Sequence, residues 1–534
     1  MEQRKVIRSA MLIGGFTSMS RVLGLMRDFL TAGFFGTSPA MSAFVVAFRI
    51  PNLFRALFGE GALSSAFVPV FIEARQKEGD QRAWLLARKV ITLVATVLFA
   101  VVLAGIAAIT LVLRRPDLGV KTGMILPLVR IMLPYMMFIC LAALSMAILN
   151  SHHRFALPAF TPSLLNITWI AFILLVCPRI SGPLERQIYG LAWGVFVAGI
   201  IQLGMQIPAL WRFGYRPGLS FDFSDPRVWK VFTLMGPAAL GLAVYQVNAV
   251  VDSLLATWVG SWAPAALFYS ERLLYLPQGI LATALSTVLL PVLSGHAARS
   301  DFPEITRTLN HSLRSLFFIM APAAVGLFAL ARPIIQMIFE WKAFDAVSTE
   351  LTARALWFYA PGLLVFCLAK VFVPAFYATQ DTRTPVRIGL CCVALNFTLN
   401  VTFILTWPQY WKHAGLALAT VISEGVNGFV LGYFIHRRMG SPGWRTLGVS
   451  MARIMSASIA MGLCAFGLQR LLFAMGGRLD LAPKLTQVMS VLGSIAVAIV
   501  IYILLALLLR CPELHEVRDA IRLRRGNKAT PVSG

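Results

Sequence analysis

The chain has 534 residues, of which 58% are hydrophobic and 13% charged, and its formal net charge at pH 7 is +24. Soluble proteins carry about 25% charged residues, so this composition excludes an ordinary soluble domain and indicates a membrane protein with many spans. The positive charge would suit a nucleic-acid partner. However, most basic residues flank apolar segments, where they set membrane topology, so we predict no nucleic-acid binding.

Apolar segments long enough to cross a bilayer recur along the whole chain. A spanning helix needs about 20 such residues, and we count about fourteen segments of that kind. We therefore predict an all-α polytopic membrane protein, with two six-helix lobes around a central cavity and two further C-terminal helices. The predicted spans cover residues 10–34, 41–73, 90–113, 125–149, 158–178, 188–211, 231–259, 264–295, 312–339, 353–377, 386–407, 414–436, 449–473 and 485–509.

The basic residues in the connections and towards the ends of the spans indicate the orientation. With the N-terminus placed in the cytoplasm, connections on that side hold 28 Lys and Arg, and those on the opposite side hold 13. Because cytoplasmic loops are enriched in Lys and Arg, we predict both termini in the cytoplasm. The N-terminal MEQRKVIR resembles the start of a signal peptide, but no small-residue cleavage site follows it, so we interpret it as a retained end.

Six basic residues remain after these two sets are assigned, and all six lie inside predicted spans. A basic side chain at mid-bilayer costs roughly 2.5–3.5 kcal/mol on insertion scales, so these residues need a polar place to point. A water-filled cavity that binds an anion would provide it; the alternative is that those near helix ends reach the lipid headgroups. An arginine fork binds phosphate oxygens in pairs, which favours a pyrophosphate. The six predicted substrate-binding residues are Arg21, Arg27, Arg49, Arg55, Arg272 and Lys370.

Three carboxylates are predicted to form ion pairs or gates with these cations. Asp28 is seven residues from Arg21, on nearly the same helix face, and holds that arginine in position or acts as a gate partner. Glu60 either pairs with an arginine of the opposite lobe when one face closes or is a plain surface carboxylate. Glu271 precedes Arg272, in a helix that we expect to be kinked at Pro277.

A sodium site is one reading of the polar residues in spans 7 and 11. Asn396 and Asn400 are one helical turn apart, and Asn248 with Asp252 repeats that spacing. Oxygen atoms from two helices could hold Na⁺, whereas hydrogen bonding between helices is the other role of such residues. We expect no other cofactor. The chain has no phosphate-binding Gly-rich loop, HExxH or nucleophile elbow, so no enzyme is indicated.

Two short patterns occur twice and indicate an internal repeat. Pro134, Cys140-Leu141-Ala142 and Pro158 recur with the same internal spacing as Pro361, Cys367-Leu368-Ala369 and Pro385, and Ala62-Leu63-Ser64-Ser65 is echoed by Ala284-Leu285-Ser286-Thr287. Two copies of six spans would share one orientation, as in two-lobed transporters. The predicted domains are an N-terminal lobe (1–220), a C-terminal lobe (221–440), two extra spans (441–512) and a basic cytoplasmic tail (513–534).

Longer motifs in the first two spans carry a more specific signal. They are Ser20-Arg21-Val22-Leu23-Gly24, Arg27-Asp28, Ala47-Phe48-Arg49-Ile50-Pro51-Asn52-Leu53, Arg55 and Glu60-Gly61-Ala62; later matches are Glu271-Arg272-Leu273 and Asp381-Thr382-Arg383-Thr384-Pro385. At these motifs the sequence resembles the MurJ (MviN) family of lipid II flippases, in the multidrug/oligosaccharidyl-lipid/polysaccharide exporter superfamily.

The resemblance implies a transporter of the bacterial cytoplasmic (inner) membrane. It would move lipid II, an undecaprenyl-pyrophosphate-linked disaccharide-pentapeptide, to the outer leaflet for peptidoglycan synthesis. Arg21, Arg27, Arg55 and Arg272 match the family's cavity arginines, and spans 13 and 14 would hold the polyprenyl tail. The resemblance further implies alternating access driven by membrane potential, with a sodium site in some members. The implied partners are lipid II and membrane lipids; we expect a monomer, which could associate with the cell-wall synthesis machinery.

Two positions depart from the family's pattern. Ser42 stands where the family commonly has an acidic residue, and Ala56 stands where it often has a second basic residue. A gating or proton role of that carboxylate is therefore not carried over.

Three alternative functions stay open: a flippase for another polyprenyl-pyrophosphate oligosaccharide, a cation-coupled drug antiporter, and a scaffold whose basic loops bind anionic lipid.

Overall fold

Helices make up almost the whole described chain. The computed structural model describes the backbone of residues 2–59, 62–216, 218–480 and 482–514, and no strand occurs within those ranges. The prediction of an all-α polytopic membrane protein is confirmed. Glu60 and nearly all of the predicted basic tail lie outside the described residues.

The residues divide into two compact units. The first comprises the chain up to Ala265 together with Trp341–Asp345, and the second comprises Ala266–Glu340 and the chain from Ala346 onward. The helix that follows the predicted linker at 221–230 therefore belongs to the first unit. The predicted lobe boundary at residue 221 stays a prediction.

The helices of the first unit are bent or broken at several points. Two π-helical turns, Arg55–Gly59 and Phe172–Val176, and one 3₁₀ turn, Cys177–Arg179, adjoin its helices. The helices are α1 (Glu2–Phe35), α2 (Pro39–Phe54), α3 (Ala62–Glu78), α4 (Asp80–Leu113), α5 (Val120–Met132), α6 (Tyr135–Ser151), α7 (Ala156–Ala171), α8 (Leu184–Gly204), α9 (Ile207–Arg212) and α10 (Pro226–Val259).

The second unit holds most of the remaining helices, and the first of them begins at the boundary. They are α11 (Ala263–Ala298), α12 (Phe302–Ala329), α13 (Ala331–Phe339), α14 (Ala346–Tyr359), α15 (Gly362–Ala378), α16 (Arg383–Thr406), α17 (Lys412–Met439), α18 (Trp444–Arg478) and α19 (Pro483–Leu508). α11 is continuous through Pro277 and Pro291.

Each of the predicted spans coincides with one of these helices or with a consecutive pair. Among the described residues, ten helical segments are long and apolar enough to cross a membrane, and the bent pair α14–α15 makes an eleventh. Three long helices fall outside this set, α1, α10 and α11. Two of them carry the arginines Arg21, Arg27 and Arg272. The total of fourteen spans stays a prediction.

The helix bounds follow the sequence repeat closely. α6 and α15 each have 17 residues, and each begins directly after a proline, Pro134 or Pro361. Pro158 and Pro385 each occupy the third position of the next helix in their copy, α7 and α16. Proline is tolerated in the first turn of a helix, because the N–H groups there make no hydrogen bond within the helix. The two copies therefore start these helices in the same way.

The short segment Trp341–Asp345 packs on α1 within the first unit. Trp341 donates its indole N–H to the carbonyl of Phe29 at 3.0 Å and stacks on the Phe29 ring with 4.8 Å between centroids. The Ala343 amide bonds to the carbonyl of Gly33 at 3.0 Å. A Cβ at Gly33 would clash with the Trp341 ring, so this close approach requires glycine.

Candidate functional site

The arginine at position 27 is enclosed by groups of α1 and α7. It is 8% exposed, and all three of its guanidinium nitrogens donate hydrogen bonds. Nε and Nη2 reach Asp28 Oδ1 at 2.9 and 2.7 Å, and Nη1 reaches Asn166 Oδ1 at 3.0 Å. The Trp169 ring lies under the guanidinium at 4.7 Å. The buried charge therefore has an anionic partner, a neutral acceptor and an aromatic face.

Spacing along both helices places these groups together. Residues three or four apart share a helix face, so Arg27 and Thr31 of α1 face Asn166 and Trp169 of α7. Thr31 donates its hydroxyl to the Arg27 carbonyl at 2.7 Å and accepts the Trp169 indole N–H at 3.1 Å. Asn166 also donates to the Ser20 carbonyl at 2.9 Å. The α1–α7 contact is thus a polar network inside the membrane domain.

Arg55 lies at a break in the second predicted span. α2 ends at Phe54 and Arg55 begins the π-helical turn, a feature often found at functional sites. Its Nε donates to Asn52 Oδ1 at 2.9 Å, and its side chain lines a cavity of about 400 Å³ in the first unit. Among the described residues lining this cavity, Arg55 alone is charged, and Asn150 and Gln202 supply amide groups. The cavity can accept an anionic group of modest size.

The other predicted cations of the first unit are half-buried. Arg21 lies on α1 and Arg49 on α2, and both take part in electrostatic or hydrogen-bonding contacts. Ser42, which stands where the resembled family commonly has a carboxylate, is 4% exposed and accepts the Ala265 amide at 3.3 Å. Its hydroxyl serves helix packing in this chain.

The second unit contains the two remaining predicted cations. Arg272 on α11 lies over the Phe268 ring at 4.4 Å, and the neighbouring Glu271 accepts the Tyr359 hydroxyl at 3.4 Å. Lys370 on α15 is half-buried and interacts electrostatically with Glu424 on α17. A half-buried cation on one helix of this unit therefore interacts with a carboxylate on another.

The residues of the predicted sodium site form hydrogen bonds with nearby side chains. Asn248 donates to Asp252 Oδ2 at 3.5 Å in the first unit. In the second unit, Asn400 donates to Asn396 Oδ1 at 2.7 Å, and Asn396 contacts the hydroxyls of Thr420 and Ser423 at 3.4 Å. The second set connects α16 with α17, as expected of the alternative role for membrane asparagines. The sodium site itself stays a prediction.

Sequence reasoning missed the partners of the buried cations. Asn166 and Trp169 were not singled out, although an asparagine within an apolar span was a usable signal, because such residues bond across helices. The sequence pattern likewise did not relate Lys370 to Glu424, which lies 54 residues further along the chain. The structure places Asp28 against its neighbour Arg27. The relation of Asp28 to Arg21, which the sequence pattern predicted, stays a prediction. The convergence of all six cations on one cleft stays a prediction.

The fold and these sites indicate the class of protein to which the chain belongs. An all-helical multi-pass membrane protein that keeps several ionisable side chains within its spans has the features of a transporter, because such residues are costly in lipid and mark substrate or ion pathways. A family model described as "Lipid II flippase MurJ" matches residues 31–484. The chain belongs to this family. Arg21 and Arg27 lie just before the matched segment, whereas Arg49, Arg55 and Arg272 lie within it.

Named relatives match most of the chain. The chain is 36% identical over 451 residues to "Lipid II flippase MurJ" of Burkholderia cenocepacia, covering 82% of this chain and 86% of that protein. It is also 36% identical to "Probable lipid II flippase MurJ" of Vibrio cholerae, covering 79% and 82%. A relative of the same name from Rhizobium tropici is 32% identical and covers 97% of each chain.

Solved structures share the architecture. "Lipid II flippase MurJ, inward closed conformation" matches with a TM-score of 0.75 and 25% identity, over 94% of this chain and 99% of that one. An inward-facing MATE-family multidrug transporter of the MOP superfamily matches with a TM-score of 0.66 and 13% identity, over 82% of this chain. The second likeness shows the fold alone, and it fits the superfamily that the sequence motifs resemble.

Proposed function

We propose that this protein moves lipid II from the inner to the outer leaflet of the bacterial cytoplasmic membrane. Family membership supports the substrate, because relatives that match 79–97% of the chain are named lipid II flippases. The transport carries peptidoglycan precursor outward and makes or breaks no covalent bond. The cytoplasmic location of both termini rests on the distribution of Lys and Arg.

The observation that carries the proposal is Arg55, the one charged side chain among the described residues that line the cavity of the first unit. A guanidinium remains charged at any physiological pH, and its fork matches two phosphate oxygens. In a site of low dielectric constant that attraction exceeds its value in water. Arg55 is therefore proposed to bind the pyrophosphate, together with Arg21, Arg49, Arg272 and Lys370.

Arg27 has a different place in the proposed mechanism. Asp28 and Asn166 already occupy its three nitrogens. Nη1 and Nη2 each keep a second N–H, to which a pyrophosphate oxygen could bond, and its negative charge would compete with the Asp28 carboxylate for the guanidinium. Asp28 is thus proposed as a gate partner, whose hold on Arg27 weakens when the pyrophosphate binds that arginine. Glu60 and Glu271 are proposed as further ion-pair partners during alternating access.

The driving force is proposed to be the membrane potential, with Na⁺ as a coupling ion held by Asp252, Asn396 and Asn400. We propose a monomer as the transport unit and the cell-wall synthesis machinery as its associate. A flippase for another polyprenyl-pyrophosphate oligosaccharide would use the same phosphate chemistry. A drug antiporter would bring a cation towards Arg55, where like charges repel.

Depletion tests the proposal directly. In cells whose lipid II transport depends on this chain, depletion should leave the precursor in the inner leaflet, and externally added enzyme should no longer reach it. Plasmid-borne wild type should restore access, and Arg55→Ala should not. Arg82→Ala, which removes an exposed arginine near the start of α4, is the matched control and should behave as wild type. Normal outward movement after depletion would contradict the proposed function.

A further inference from the structure

A second cavity, of about 680 Å³, lies in the second unit where α12 and α18 begin. Both helices are apolar enough to span the membrane, so the cavity is at the level where a span meets the lipid headgroups. Its lining includes Arg307, His311 and Arg314 of α12, and Ser441, Gly443 and Thr446 at the start of α18. The substrate mechanism above uses none of these residues.

Arg314 is the less exposed of the two arginines that line this cavity. Its side chain is 20% exposed, and its Nε donates to Glu513 Oε1 at 2.6 Å. Ser450 donates to the same carboxylate oxygen, so Glu513 holds one edge of the guanidinium in place. Neither Nη group bonds to another described residue. A positioned cation whose two Nη groups are available to donate therefore lines the cavity.

Arg307 adds a second, adjustable cation. Its side chain is 82% exposed, and Nη1 lies 3.4 Å from Glu304 Oε2, one turn earlier on α12. Exposed pairs of this kind contribute little to stability, so Arg307 can turn towards a bound anion at small cost. Arg307 and Arg314 are seven residues apart, which places them on the same helix face.

The start of α18 supplies neutral donors beside these cations. Asn310 fixes the preceding loop by donating to the Pro442 carbonyl at 2.5 Å. Gly443 has a φ of +73° and gives α18 no side-chain cap, so the first amides of this helix lack a side-chain acceptor among the described residues. Such amides carry partial positive charge and favour an anion.

The surroundings indicate where the anion comes from. Trp444, the first residue of α18, is 41% exposed, and Val449 further along is 49% exposed, which suits contact with the membrane interface and the lipid chains. The distribution of Lys and Arg places this end of both helices at the cytoplasmic surface. Basic pockets between membrane helices on that side suit anionic lipid headgroups.

We propose that this cavity binds a phosphate group at the cytoplasmic surface, with Arg314 and Arg307 as its cations and the start of α18 as its amide donor. Two sources share that chemistry, the headgroup of an anionic phospholipid and a soluble phosphate. The site is independent of the proposed transport of lipid II.

Lipid binding to the full-length protein in detergent tests this site. Native mass spectrometry would count bound short-chain phosphatidylglycerol and, as the zwitterionic comparison, phosphatidylcholine; inorganic phosphate is titrated separately. Arg307→Gln should weaken binding about fivefold, and Arg307→Gln combined with Arg314→Gln and Glu513→Gln about thirtyfold. Glu513→Gln is included so that no buried carboxylate is left without its cation.

Arg445→Gln is the matched control, because it removes an exposed arginine of α18 that does not line the cavity. Loss in the cavity variants with phosphatidylglycerol assigns a lipid headgroup, and the same loss with inorganic phosphate assigns a soluble phosphate. If the triple variant folds poorly, the exposed Arg307 carries the test alone. Equal binding by wild type, Arg307→Gln and Arg445→Gln would overturn the proposal.

Discussion

Arg27 and Lys370 are both basic side chains inside membrane helices, and the two units accommodate them differently. Arg27 makes three side-chain hydrogen bonds and lies against an aromatic ring, and it is 8% exposed. Lys370 interacts electrostatically with Glu424 across α15 and α17 and is only half-buried. The more completely a cation is buried, the more partners it needs, because desolvation must be offset by charge and hydrogen bonds together.

The repeat makes this comparison sharper. When the two copies of the repeat are aligned at Cys140 and Cys367, Lys370 is equivalent to Ala143, which lines the Arg55 cavity. In the first unit the cation near this helix therefore comes from the break after α2, whereas in the second unit the helix itself carries it. The two copies share their helix bounds and differ in which element supplies the charge.

The largest expected effect comes from Arg27→Ala. The substitution removes the guanidinium that pairs with the 5%-exposed Asp28, which should cost about 3–5 kcal/mol of folding stability. Thermal unfolding in detergent measures this loss, and the leaflet assay measures transport. Arg27→Ala with Asp28→Ala should recover most of the stability while transport stays absent. Normal transport by that double variant would show that Arg27 serves folding alone.

Removing Lys370 should have a smaller effect. Lys370→Met deprives Glu424 of a nearby cation, and we expect a loss of about 1–3 kcal/mol. Because Lys370 is only half-buried, water compensates part of the change. Lys370→Met combined with Glu424→Gln should recover most of the loss, as measured by thermal unfolding. Additive losses in the double variant would contradict a coupled pair.

Asn166→Leu tests the neutral part of the Arg27 network. It removes one acceptor from Arg27 and the bond to the Ser20 carbonyl, so we expect a loss of about 1–2 kcal/mol. The pair with Asp28 remains, and transport should fall less than in Arg27→Ala. Trp169→Phe, which keeps a ring under the guanidinium and removes the bond to Thr31, is the matched comparison. A loss as large as that of Arg27→Ala would contradict this ranking.

An ion pair outside the membrane gives the smallest expected effect. Lys89 donates to Asp222 at 2.7 Å, and this hydrogen bond lowers the pKa of the exposed Asp222 to about 2. Because the folded pKa lies below the ordinary 3.8, the stabilisation is present above pH 3.8 and is lost as the pH falls towards 2. The unfolding temperatures of wild type and Asp222→Asn should therefore differ slightly at pH 5 and converge near pH 2. A constant difference would contradict this pKa.

The two arginines of the first unit show how far sequence reasoning could go. Both were identifiable because a charge inside an apolar span is visible in the chain itself. Their different environments were not, since the acceptor of Arg27 Nη1 lies 139 residues away on α7 and the Arg55 cavity is enclosed mainly by α6 and α7. The basic cavity at α12 and α18 could not be predicted for the same reason, because the segments that line it are distant in the chain. Asn310 and Pro442, which are hydrogen-bonded beside it, are 132 residues apart.

The sequence by itself determined that this is an all-helical membrane protein, where its apolar segments lie and which family it resembles. These properties depend on local composition and on short motifs, because each span must satisfy its own backbone hydrogen bonds within the bilayer. Only the tertiary structure decided which side chain neutralises each buried charge and which helices enclose each cavity. Those outcomes depend on packing between helices distant in the chain, where shape and hydrogen-bond geometry select one partner among many.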